Sequence, residues 1–123
     1  MSYLNDRVLD SGLAVLDTEA TRLDICSQEP STYAGATSTY TLGNKTSLSV
    51  GAPAARTPSG RKVTVAQITD GSVSGTGTAT HWAISDVSNS RLLAAGPMNT
   101  SQAVTSGNTF TLAAFDIGIP GPA

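Results

Sequence analysis

Glycine and proline interrupt this chain so often that no regular segment runs far. The 12 glycines and 6 prolines cut the apolar positions into stretches of about five to eight residues, a length suited to strands rather than to packed helices. The polar positions between them carry hydroxyls more than charges: 17 Thr and 15 Ser stand against 13% charged residues. Threonine is β-branched and favours a pleated, half-covered surface. Mean hydropathy is −0.01. A disordered chain would need high net charge, and a spanning helix would need about 18 consecutive apolar residues; neither is present. A chain of 123 residues makes one domain with room for its own core. The expectation is an all-β fold, a small β-sandwich or barrel-like domain with an N-terminal arm.

Within that fold, Leu4, Val8 and Leu9 stand at helical spacing until Ser11-Gly12, which predicts a short N-terminal turn or arm over residues 1–12. The arm is expected to be mobile alone and ordered against a partner. Leu13, Val15 and then Leu23, Ile25 alternate on either side of Asp17-Thr-Glu-Ala20, which reads as a hairpin ending at Gln28-Glu-Pro30. Short β patterns follow at Tyr40–Leu42 and Leu48–Val50, then a Pro/Gly loop over residues 51–60. Val63, Val65 and Ile68 form a strand that Asp70-Gly71 would turn. Residues 78–85 alternate cleanly, with Trp82 and Ile84 on one face and His81 and Ala83 on the other. Residues 86–90 read as a turn into a partner strand from Arg91, which Gly96-Pro97 would break. Residues 102–104, 109–112 and 115–119 supply three more strands, with Asp116 facing water. The domain therefore spans residues 13–119, followed by a flexible tail over 120–123. Trp82, Ile84, Val63, Val65, Leu92, Phe110, Leu112, Phe115 and Ile117 are the expected core.

Chemistry-bearing residues are sparse. A structural or catalytic zinc needs three or four convergent ligands, and the chain has one His and one Cys, far apart in sequence. No alternating carboxylate run suggests calcium, so no metal and no cofactor are expected. Cys26 with His81, or a serine with His81 and Asp86, would be the nucleophilic candidates. Nothing near Cys26 predicts a lowered pKa, and a lone cysteine is commonly a small buried hydrophobe. Gly71-Ser-Val-Ser-Gly75 places Val73 where a nucleophile elbow needs serine. Gly75-Thr-Gly77 lacks the Lys-Ser/Thr ending of a phosphate loop and runs into a strand. An enzyme is not expected. The six aromatic residues are scattered, so Trp82 is assigned to the core rather than to a sugar platform.

Seven basic residues and a net charge of −2 also exclude a nucleic-acid partner, which draws on a dense cationic surface, and no membrane partner is expected. The charge is uneven: residues 1–30 hold six acids against Arg7 and Arg22, while the rest hold five bases against three acids. A single cysteine makes no internal disulfide, and the N-terminal residues lack the basic and apolar regions of a secretory signal. The sequons at Asn44 and Asn99 are accordingly chance matches in a Ser/Thr-rich chain. Arg56, Arg61 and Lys62 form a basic cluster at the Pro/Gly loop, a docking edge for an acidic surface.

Several segments carry a resemblance. Asp24–Tyr33, Ser59–Val65, Gly75–Ile84, Ser90–Ala94, Ser101–Phe110 and Asp116–Pro120 resemble small structural proteins of tailed bacteriophages and prophages of alphaproteobacteria. The resemblance implies a virion component, with a capsid decoration (cement) protein on the outer head surface as the leading expectation. A tail, neck or baseplate adaptor and a small host-glycan binding module are the alternatives. It further implies the major capsid protein and copies of the chain itself as partners, with a closed ring such as a trimer on a local symmetry axis. Tyr3, Leu4, Arg7 and Val8 in the arm, with Arg56, Arg61 and Lys62, are the expected partner-binding residues.

Overall fold

The computed structural model describes residues 6–119 other than Pro58, the side chains of residues 6–9 and of Asn99 aside. In chain order it holds helix α1 (Asp6–Glu19), β1 (Arg22–Cys26), one wide helical turn (Gly35–Thr39), β2 (Thr41–Thr46), β3 (Ala54–Ala55), β4 (Arg61–Val65), β5 (Ile68–Val73), β6 (Gly77–Asp86), β7 (Arg91–Val104), β8 (Thr109–Leu112) and β9 (Phe115–Ile119). The strands form a six-stranded sheet ordered β7-β6-β1-β2-β5-β8 and a three-stranded sheet ordered β3-β4-β9. Every named pairing is antiparallel. The domain is mostly β, as its composition predicts.

The order of the large sheet forces it to curl. Its edge strands β7 and β8 are consecutive in the chain, joined only by residues 105–108. A flat sheet of six strands would hold its edges about 24 Å apart, whereas that connection reaches at most about 18 Å. The sheet therefore rolls towards a barrel with an open seam between β7 and β8. Across the seam no ladder forms among the described strands; the Gln102 side chain donates to the Thr111 carbonyl at 2.9 Å instead.

Inside, α1 contributes Leu13, Leu16 and the adjoining Ala20, β1 contributes Leu23 and Ile25, β4 contributes Val63 and Val65, and Ile68, Val73, Ile84 and Phe110 complete the packing. Leu23 and Ile25 face this core, while Arg22, Asp24 and Cys26 point to the other face of the sheet. There the segment 33–40 lies over Cys26 and Ala83, so β1 is covered on both sides. Asp24 is wholly buried on that outer face, where Arg22 donates to both its oxygens (2.8 and 2.9 Å) and Thr41 donates at 2.7 Å.

Several sequence expectations fail here, each for a tertiary reason. The hairpin over residues 13–28 does not form: residues 13–19 continue α1, and β1 pairs instead with β2 and β6. The boundary drawn after residue 12 consequently falls inside the helix. Ser11-Gly12 does not stop α1, because burial of Leu13 and Leu16 offsets the roughly 1 kcal/mol that an interior glycine costs. Gly12 faces β9, and a Cβ there would meet Ile119 Cδ1 at 3.5 Å, an ordinary contact. Asp70-Gly71 is interior to β5 rather than a turn, and the break comes at Ala66-Gln67. Gly96-Pro97 does not end β7, which continues to Val104 through a bulge. Of the expected core, Ile84, Val63, Val65 and Phe110 are buried, whereas Trp82, Leu92, Leu112, Phe115 and Ile117 are half-buried. The tail over residues 120–123 lies outside the described residues.

Candidate functional site

The surface is indented at the seam. A groove of about 520 Å³ lies along it, walled by Pro97, Met98, Thr100 and Gln102 of β7 on one side and by Thr111–Asp116 on the other, with Trp82 of β6 between them. Its volume falls in the usual range for small-ligand sites, about 300–1,000 Å³. The β7 wall is built by the bulge. Ala79 pairs with Gln102 and His81 with Pro97, so four β7 residues, 98–101, stand against Thr80 alone. Pro97 has no N–H to give the ladder, which favours departure of the strand at that point.

The floor is aromatic. The Trp82 and Phe115 rings lie 4.6 Å apart at 38°, a tilted contact that aromatic pairs favour. Gly96 fixes the indole: a Cβ there would come within 2.9 Å of Trp82 Cζ2. Phe115 arrives because residues 113 and 114 turn the chain from the large sheet into β9, where Phe115 pairs with Val65. At one rim the Asp116 carboxylate accepts from Thr64 Oγ1 at 2.6 Å and from Lys62 Nζ at 3.1 Å. The Thr64 hydrogen bond, followed by the Lys62 contact, lowers its pKa below the ordinary carboxylate value. It is thus an ionised acceptor with its charge balanced.

Of the seven residues expected to bind a partner, Arg56, Arg61 and Lys62 do not line this groove. Tyr3 and Leu4 lie outside the described residues, and Arg7 and Val8 fall on the first turn of α1. Arg61 is turned inward to Asp10 of that helix, with bonds of 2.7 and 3.3 Å, and ties α1 to β4. Lys62 serves Asp116. Arg56 lies across Gly118 of β9, its Cδ 2.8 Å from where a Cβ would stand, and donates to the Ser59 carbonyl at 3.0 Å. Among the described cations, Arg56 is the one without a carboxylate partner. The basic cluster of the sequence is therefore one half-buried arginine without a carboxylate and two cations held by carboxylates of the same chain.

The sheet does bring Cys26 and His81 together, since they are register partners on β1 and β6. The thiol is nevertheless spent structurally. It donates to the Ala36 carbonyl at 3.7 Å, and burial, reinforced by Asp24, pushes its pKa up to about 12. His81 Nδ1 sits 2.8 Å from its own neighbour Thr80 Oγ1. Among the described residues no three metal-binding side chains group together. The groove residues Met98, Thr100, Gln102 and Thr111 escape sequence reasoning. The one signal that could have found them is Pro97 inside a strand whose pairing continues beyond it.

Comparison with known proteins found no matching family model, no matching curated protein and no matching solved structure.

Proposed function

We propose that this chain is a structural protein of a tailed-bacteriophage virion, a decoration protein on the outer surface of the head that strengthens contacts between major capsid subunits. The observation that carries the reading is where the phage-like segments fall. They include β4, most of β6 and β9, parts of β1 and β8 and both ends of β7, and so contribute to both sheets. The likeness is thus spread over both sheets rather than confined to one loop. The fold also suits the role physically. β3 and β9 are edges of the small sheet, and an open edge gives main-chain pairing without special side chains. Arg56, over the β9 edge, offers an uncompensated charge to an acidic neighbour. Copies of the chain around a local symmetry axis, such as a trimer, would repeat that edge at each joint.

Copy number in purified virions tests the reading. Quantitative mass spectrometry should find this polypeptide at a ratio to the major capsid protein near one or near one-third. A ratio of a few per cent moves it to the neck, tail or baseplate. Absence from the particle refutes a virion role.

A further inference from the structure

The geometry of the β9 edge specifies what can pair with it. Among the described strands the other edges are occupied or short: β7 and β8 face each other across the seam, and β3 has two residues. β9 has five, pairs with β4 without a bulge and contains no proline, so it lacks two usual guards of an open edge. Its main chain has a definite direction. On the side of β4 away from β9, the Gly51 N–H donates to the Thr64 carbonyl and the Ala66 N–H to the Ser49 carbonyl, each at 3.0 Å. Main-chain groups alternate sides along a strand, so Val63 and Val65 are the residues that bond to their partners Ile117 and Phe115. The N–H and C=O of Asp116 and Gly118 therefore point out of the sheet, and no main-chain bond meets them there among the described residues.

We propose that two copies of this chain join through their β9 strands, antiparallel about a two-fold axis at Ile117, with Asp116 of each copy opposite Gly118 of the other. Charge complementarity selects both the occupant and the register. Arg56 lies across Gly118, its Cδ 2.8 Å from where a Cβ would stand, and is the described cation without a carboxylate partner. Residues opposed in a hydrogen-bonded antiparallel pair share a face, with Cα atoms about 5.5 Å apart. Asp116 of the second copy thus arrives beside Arg56, and the two-fold axis repeats the ion pair. The neighbouring registers fail. Asp116 against itself opposes two carboxylates, and Gly118 against itself sets Asp116 against Pro120, which has no N–H to donate. In the chosen register Ile117 meets itself at the axis, with half-buried Phe115 and Ile119 on either side. The pairing rests on this edge alone and not on the virion reading.

Sedimentation of the full-length protein over about 10–1,000 µM should show a monomer–dimer equilibrium, since so small an interface belongs to the weak class. Cross-linking reads the register. The two Ile117 positions form a non-hydrogen-bonded pair with Cα atoms about 4.5 Å apart, within disulfide reach, so mild oxidation of Ile117→Cys should give a covalent dimer. Ile119→Cys should not cross-link, because its two copies stand about 14 Å apart. The native Cys26 is buried and stays out of the reaction. Arg56→Gln should weaken association about fivefold, with the melting temperature within a few degrees of wild type. Asp116→Pro removes an outward N–H that β4 does not use and should abolish the dimer, with circular dichroism checking the fold. A monomer at every concentration overturns the inference, as does a trimer. A dimer that Ile117→Cys does not lock, or that Ile119→Cys does, overturns the register. A dimer that Arg56→Gln leaves unchanged overturns the charge pairing that chose a second copy. None of these outcomes alters the copy number in virions, by which the virion reading is judged separately.

Discussion

Replacing Gly71 by alanine should be the most damaging single-methyl change in this domain. Gly71 is buried in β5 directly opposite Phe110 of β8, and the phenyl ring lies across it: a Cβ would stand 2.2 Å from both Cε1 and Cζ. Ordinary contact is near 3.5–4 Å, so the ring must move by more than 1 Å (about 1.5 Å). Phe110 is 1% exposed and is the largest of the fully buried side chains, so close packing leaves it little room. Overpacking of this kind costs about 1–3 kcal/mol, and more if the ring is expelled from the core. The reduced freedom of the unfolded chain returns only about 0.4–1 kcal/mol. The net loss is about 1–2 kcal/mol, or about 4–10 °C in Tm for a domain of this size, and larger if the ring is expelled. Thermal melts followed by circular dichroism, with urea midpoints at unchanged m-value, measure it. Phe110→Leu removes the two closest of the three colliding atoms, Cε1 and Cζ, and leaves a smaller side chain that can turn its Cδ1 aside, so adding it to Gly71→Ala should give a protein more stable than the two single losses summed, by about 1 kcal/mol or more. A Gly71→Ala protein melting within about 2 °C of wild type, or a strictly additive double variant, would refute the placement of this ring.

Thr41→Val removes a hydroxyl that donates to the buried Asp24 carboxylate at 2.7 Å; a loss of about 1.5–3 kcal/mol is expected in urea denaturation, and an unchanged midpoint contradicts the buried network. Ser85 Oγ is buried without a hydrogen-bond partner, so Ser85→Ala should leave stability unchanged or raise it by about 1 kcal/mol; a clear drop in Tm would show a partner for that hydroxyl. Burial holds the Cys26 pKa at about 12 against an ordinary 9.0, so the unfolded chain loses its thiol proton first. Stability is full below pH 9 and falls as pH rises through that window, by at most about 1.4 kcal/mol per unit; Cys26→Ala should flatten the fall, and an unaltered alkaline profile would count against it. For the exposed Asp116 the direction reverses: its pKa is lowered chiefly by Thr64 and next by Lys62. The small stabilisation it provides is present at neutral pH and lost on acidification. Carboxyl NMR titration should place its midpoint below the ordinary value, moving up more with Thr64→Val than with Lys62→Gln.

Much of the fold is legible in residue order, because strand signals are local. The alternation over Trp82–Ile84 and Phe115–Ile119, and the turn before Arg91, appear in the structure where the pattern places them. Helix α1 was hidden because Gly12 reads as a stop, and only the packing of Leu13 and Leu16 into the common core outweighs it. Asp70-Gly71 was hidden for the converse reason. Locally it is a strong turn signal, but Phe110 fills the space that the glycine leaves, and the strand runs through. Half of the expected core proved to be groove wall or sheet edge, since an apolar residue carries no mark of which neighbours will cover it.

The candidate site shows the same division more sharply. No motif links Trp82, Gln102, Thr111 and Phe115; they meet because β7 and β8 are sequence neighbours placed at opposite edges of one sheet. Arg61 and Lys62 looked like a docking patch until α1 and β9 supplied Asp10 and Asp116 to hold them. By itself, then, the sequence determined the β class, the approximate strands and the scarcity of reactive groups, because composition and period-two alternation are properties of short stretches. Strand order, the open seam and the side chains that face one another across it were decided only by the tertiary structure, since they depend on long-range pairing and on which buried surfaces win when local preferences conflict.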